Sequence, residues 1–121
     1  SGQSVKANDL IQVAYSAAKQ LYGMIVSIDG RGNVTVHHPA DGLLSARLNV
    51  GREVRLTKSF QLDDAPRYER FFFIVSENVF IKERILNKVK EMVKNPIHAQ
   101  KGKLQLGNTF KQISILLVKG E

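Results

Sequence analysis

"RFFFIVS", residues 70–76, is the stretch that decides the fold. Its five consecutive apolar residues are aromatic or β-branched, too few for a buried helix and apolar on both sides of a strand. Such a run is expected in a central strand covered from two faces. Residues 113–118 are its equivalent near the end of the chain. Upstream, residues 22–28 alternate so that Tyr22, Met24, Val26 and Ile28 share one face, and Gly23, Ile25 and Ser27 share the other. Alternation resumes at 34–38, and the intervening Asp29, Gly30, Arg31, Gly32 and Asn33 read as a hairpin connection in which a glycine supplies positive φ. Residues 10–16, 46–50, 53–56 and 60–62 add shorter strand signals, with Gly51 marking a turn or bulge.

One segment has helical periodicity. Ile81, Ile85, Leu86, Val89 and Val93 recur on a stripe, while Lys82, Arg84, Lys88, Lys90 and Lys94 take the rest of the circumference. Asn78 is placed to cap its start, and Pro96 after Asn95 is read as a stop. The expected fold is mainly β (α+β), a single domain over 1–121. Its form is an antiparallel β-sandwich or half-open barrel of about seven strands with one C-terminal amphipathic helix. The chain begins Ser-Gly-Gln-Ser, without a methionine or a basic-then-apolar leader, and is expected to be an excised fragment of a longer protein.

Several chemistries can be weighed on these residues. Asp29, Gly30 and Asn33 resemble part of a calcium loop, but the alternating oxygen ligands, the closing glutamate and the flanking helices are missing. No glycine spacing of the phosphate-binding kind occurs either. His37 and His38 are neighbours on an expected strand, so their side chains should point to opposite faces and not share an ion. His98 lies beyond the helix with no acid close in sequence. No metal or cofactor is therefore expected. Asp63, Asp64 and Glu69 are the carboxylates available for acid/base work, which needs one of a pair raised in pKa and the other kept ionised. The plainer reading makes Asp63, Asp64 and Pro66 a turn, with aspartates bonding their own backbone and proline setting φ. No nucleophile elbow accompanies the serines, and a non-enzymatic module is favoured over a carboxylate-based hydrolase.

Apolar residues make up 43% of the 121 and charged residues 24%, a composition that folds. With no cysteine, disulfides and thiolate sites are excluded. No apolar run is longer than five residues, whereas a helical membrane span needs about 20. The net charge of +7 is uneven. Residues 82–121 hold nine Lys or Arg against three Glu, and residues 1–81 hold nine against eight acids. A basic helix face suits an acidic protein surface or anionic lipid. Nucleic acid is the weaker candidate, because only Phe80 and Phe110 lie near these cations as stacking platforms.

A resemblance rests on four stretches: "DLIQVAY" (9–15), "YGMIVSIDGRGNVTVHHP" (22–39), "SFQLDDAPRYERFFFIVSE" (59–77) and "KQISILLVKG" (111–120). Together they resemble an uncharacterised β-rich domain of bacterial envelope proteins. That domain often follows a single membrane span in proteins resembling anti-sigma factors, and belongs to a larger family of domains of unknown function. Gln61 stands where the family pattern has glutamate. The resemblance implies an extracytoplasmic module tethered through an N-terminal segment, with a further strand upstream. It carries no catalytic residue. The expected function is a sensory or protein-interaction module of a membrane-anchored regulator. Its candidate contacts are the basic helix face and the strand edge near Leu10 and Tyr15.

Overall fold

Residues 3–120 are described by the computed structural model, and they are mainly β, with 44% strand and 15% helix. The strands are β1 (Gln3–Val5), β2 (Leu10–Ile11), β3 (Ala14–Ala17), β4 (Tyr22–Asp29), β5 (Val34–His38), β6 (Ala46–Arg47), β7 (Gly51–Arg55), β8 (Phe60–Gln61) and β9 (Tyr68–Ser76). Two helices, α1 (Lys82–Met92) and α2 (Pro96–Lys101), then precede β10 (Phe110–Lys119).

The apolar run seen in the sequence is the centre of the molecule. β9 pairs antiparallel with β4 on one edge and with β10 on the other. Beyond β4 lie β5 and β6, and beyond β10 the short β1 pairs in parallel. The sheet ends at β1 and β5, so no barrel closes. Two small sheets, β2 with β8 and β3 with β7, stand apart from it.

Alternation along β4 and β9 sends side chains to two cores. On one face Met24, Val26, Ile28, Phe72 and Ile74 pack against Ile85, Val89 and Met92 of α1 and Ala99 of α2. Removing a side chain such as Phe72 from water contributes about 1.5–3 kcal/mol, and this face holds many of them. Arg70 fastens α2 to the sheet from the same side. Its guanidinium lies over the Phe72 ring at 4.4 Å and donates to the carbonyls of Ala99 and Gly102 and to Ser114 Oγ. On the opposite face Ile25, Phe71 and Leu117 meet Tyr15, Ala17 and Leu48, with Val54, Phe60 and Phe73 partly buried around them.

The structure corrects the sequence reading at several points. Ten strands occur among the described residues, not about seven, because several are only two or three residues long. The helical region is two helices, and both lie before the last strand. Asn95 and Pro96 open α2 instead of closing α1: Asn95 Oδ1 accepts from the Ile97 and His98 amides, and proline occupies the first turn, where its missing N–H costs nothing. Asn78 does not cap α1. Ile81 occupies the N-cap position with extended backbone and no side-chain bond. The Lys82 amide is satisfied by the Leu43 carbonyl. Residues 10–16 break into β2 and β3. Gly51 does not turn the chain but begins β7 beside a register shift, pairing with Ala17 while Val54 pairs with Tyr15, which is the bulge of the two readings.

Candidate functional site

The hairpin loop is organised by one side chain. Asp29 Oδ1 accepts from the amides of Arg31 and Asn33 at 2.8 and 3.0 Å, and Oδ2 accepts from Asn33 Nδ2 at 3.1 Å. Gly32 has φ of +83°, whereas Gly30 is required by proximity, since a Cβ there would overlap the Pro66 carbonyl oxygen. The two turn regions chosen from sequence, 29–33 and 63–66, therefore pack against each other. Arg31 and Asp64 join them on the surface at 2.7 Å, and this exposed pairing holds the Asp64 carboxyl below the usual carboxylate range.

Beneath that surface the register aligns Asp29 with Glu69 and Glu69 with Leu117, and Lys119 extends the row. Lys119 Nζ is 2.9 Å from Asp63 Oδ1 and 3.4 Å from Glu69 Oε1. Ser27 Oγ donates to Glu69 Oε2 at 2.9 Å and lies 2.7 Å from His37 Nε2. Burial pushes the Glu69 carboxyl up, against the opposing influence of Ser27 and Lys119. Partial burial also acts to raise Asp63, but bonds from Lys119 and the Ala65 amide outweigh it and hold Asp63 below its ordinary value. Burial lowers His37 to about 4, so the ring is neutral at pH 7. With Glu69 ionised, the Ser27 proton points to Glu69, and the neutral His37 donates from Nε2 to Ser27.

Asp63 and Glu69 thus have the divergent environments that acid/base chemistry uses. Only one of the two is open to solvent: the Asp63 side chain is 45% exposed, whereas Glu69 at 2%, Ser27 at 0% and the Lys119 side chain at 4% are covered. Ser27, His37 and Glu69 do not have the order of a catalytic triad, because acid and imidazole both bond the hydroxyl and, among the described residues, no group hydrogen-bonds the other ring nitrogen. Oxygen atoms of Asp29, Asp63 and Glu69 lie within 4.8 Å of one another, a donor set suited to a hard cation. The Lys119 ammonium already fills that role, and the Asp29 oxygens are engaged by the loop. The cluster ties four chain segments together.

A groove of about 390 Å³ opens on the same face of the sheet. One wall is the continuous segment of residues 11–16, and the floor is Ile25, Phe71, Phe73, Ile113, Ile115 and Leu117. Ile113 and Ile115 are 63% and 54% exposed, because the small sheets stop short of β10. β3 pairs only with β7, so its other edge is unpaired among the described residues. The strand edge near Leu10 and Tyr15 therefore borders an apolar floor.

The histidines depart from expectation. A bulge in β5 pairs Ile25 with His38 but Val26 with Val36, and the extra residue turns both rings to one face. His37 packs between Phe60 and Phe71, at 4.4 and 5.0 Å between ring centroids, and His38 stacks on Tyr15 at 6.0 Å. Burial lowers His38 as well. His98 sits exposed on α2.

The basic helix face is less uniform than its sequence. Lys82 is buried and donates to the carbonyls of Pro39 and Asp41. Arg84 lies over the Phe110 ring at 4.9 Å, and Lys94 pairs with Glu91. Lys88 and Lys90 are exposed. Sequence reasoning missed Lys119, Ser27 and Arg70. Only Arg70, a charge set against an apolar run, carried a local signal. Protein-family models, curated proteins and solved structures gave no match to this chain.

Proposed function

We propose that this domain is a non-enzymatic protein-interaction module that receives an extended polypeptide segment in the groove beside β3. The observation that carries the reading is an unpaired strand edge lying along a floor of exposed isoleucines. A two-stranded ribbon is marginal by itself, and a third strand adds backbone hydrogen bonds while alternate side chains descend onto Ile113, Ile115 and Phe73. The occupant is thus a segment with apolar residues at every second position. In this reading the small sheets form an incomplete second layer of a sandwich-like α+β fold, and the partner completes it. The resemblance to domains of membrane-anchored, anti-sigma-factor-like regulators supports an extracytoplasmic setting, in which peptide capture would serve sensing.

The test uses an alternating Val-Thr octapeptide and a version with proline at its centre, titrated into isotopically labelled protein. Amide shifts should concentrate at Ala14, Ser16, Ile113 and Ile115 with the first peptide and be lost with the second, since proline removes a ladder donor. Equal binding of both peptides, or shifts outside the groove, would overturn strand addition.

A further inference from the structure

A second exposed apolar surface, sharing no residue with the groove, is found where the 41–45 connection meets the start of α1. Leu44 and Ile81 form an antiparallel bridge, and the Lys82 amide bonds the Leu43 carbonyl. Ser45 turns inward, its Oγ accepting from the Phe80 amide. That arrangement leaves Leu43, Leu44, Val79 and Ile81 facing outward at 80%, 53%, 52% and 58% exposure. Four large aliphatic side chains are thus held out around one bridge between Leu44 and Ile81, the kind of exposed apolar surface that marks an interaction site. Lys82, next to Ile81, is buried and donates from Nζ to the Pro39 and Asp41 carbonyls.

Charge borders this patch on the helix side. Spacings of three and seven residues put Arg84 and Lys88 on the side of α1 that begins at Ile81, whereas Lys90 and Lys94 fall on the opposite side. Phe110 holds the Arg84 guanidinium in place. Glu91, one turn beyond Lys88, is occupied by Lys94. Asp41, Glu77 and Glu83 are the acids closest in sequence, Glu77 is paired with Lys19, and the whole chain carries +7.

We infer that this patch is a lipid-docking surface: Leu43, Leu44 and Ile81 enter the boundary of an anionic bilayer while Arg84 and Lys88 meet its headgroups. Aliphatic residues at the tip with cations set behind them match the vertical order of an anionic leaflet, acyl chains below and phosphates above. A cation near such a surface contributes about fivefold to partitioning. This surface is separate from the peptide groove, so either assignment can fail alone.

Co-sedimentation with vesicles containing phosphatidylglycerol, beside pure phosphatidylcholine vesicles, tests it. Binding should require the anionic lipid, weaken as salt rises, fall more than tenfold in a Leu43→Ser/Leu44→Ser double variant, and fall about fivefold in Lys88→Gln. Melting temperatures should stay constant, since all three residues are exposed. Ile113→Asp, in the groove, should bind vesicles like the unmodified protein. Absence of binding at low salt, equal binding to neutral vesicles, or an undiminished double variant would overturn the inference. So would a concentration-dependent dimer that the double variant makes monomeric, because the patch would then be covered by a second copy.

Discussion

The two faces of the central sheet are built from the same strands, β4, β9 and β10, yet they are closed by different means. On the helix face an eleven-residue helix satisfies its own backbone and lays down a continuous stripe, so Ile85 and Val89 reach 0% exposure. On the other face the cover consists of strands of two to five residues that pair only with one another. Short ribbons cannot span the sheet. At one end they leave the groove over Ile113 and Ile115, and at the other the gap is filled by polar groups that bond among themselves. A sealed face stabilises, and the incompletely covered face is where exposed isoleucines and the displaced pKa values of Asp63, Glu69 and His37 are found.

The sharpest break of this comparison is a charge placed in the sealed face. Ile85→Asp buries an unpaired carboxylate and should cost more than about 4 kcal/mol, enough to unfold the domain in a urea melt, whereas Lys88→Asp on the exposed side should change stability by less than about 0.5 kcal/mol. Similar small effects from both would mean that α1 does not seal the sheet.

The second face should instead respond to pH. His37 is depressed to about 4 in the fold against an ordinary 6.5. Its contribution is therefore present above pH 6.5 and is lost as pH falls through about 4, a loss of roughly 2–3 kcal/mol after discounting for partial exposure. Glu69 acts in the opposite sense: raised by burial, it favours the fold below its ordinary value and loses that contribution as pH rises through the folded value. His37→Gln should flatten the fall in melting temperature between pH 6.5 and 4. An unchanged slope would place the acid sensitivity elsewhere.

Smaller effects separate the two glycines of the hairpin that joins the faces. Gly30→Ala forces a Cβ onto the Pro66 carbonyl and should cost about 1–3 kcal/mol, while Gly32→Ala makes only an ordinary contact with Val93 at 3.9 Å and should cost about 1 kcal/mol for its positive φ. Chemical denaturation that ranks them in reverse would remove the contact between the two turns. The smallest change is expected in the groove floor. Ile113→Ser and Ile115→Ser should each alter stability by no more than about 0.5 kcal/mol while weakening peptide binding, because these side chains are already in water.

Local pattern was enough to identify the long elements. The residue-by-residue alternation of 22–28 determined which side chains of β4 enter each core, the doubly apolar 71–75 determined the central strand, and Ile85, Leu86, Val89 and Val93 of the helical stripe marked the side of α1 that packs, although its first member, Ile81, faces outward. These features depend on periods of two and 3.6 residues, which a single segment contains in full. Tertiary structure alone decided the rest. The inward turn of both histidines follows from a register shift between two strands. The pairing of Lys119 with Asp63 and Glu69 joins residues 56 and 50 positions apart. The clamping of Lys82 depends on carbonyls at 39 and 41. Short strands carry too few residues for a period to show, and a long-range ion pair leaves no local trace, so both become definite only when distant segments meet.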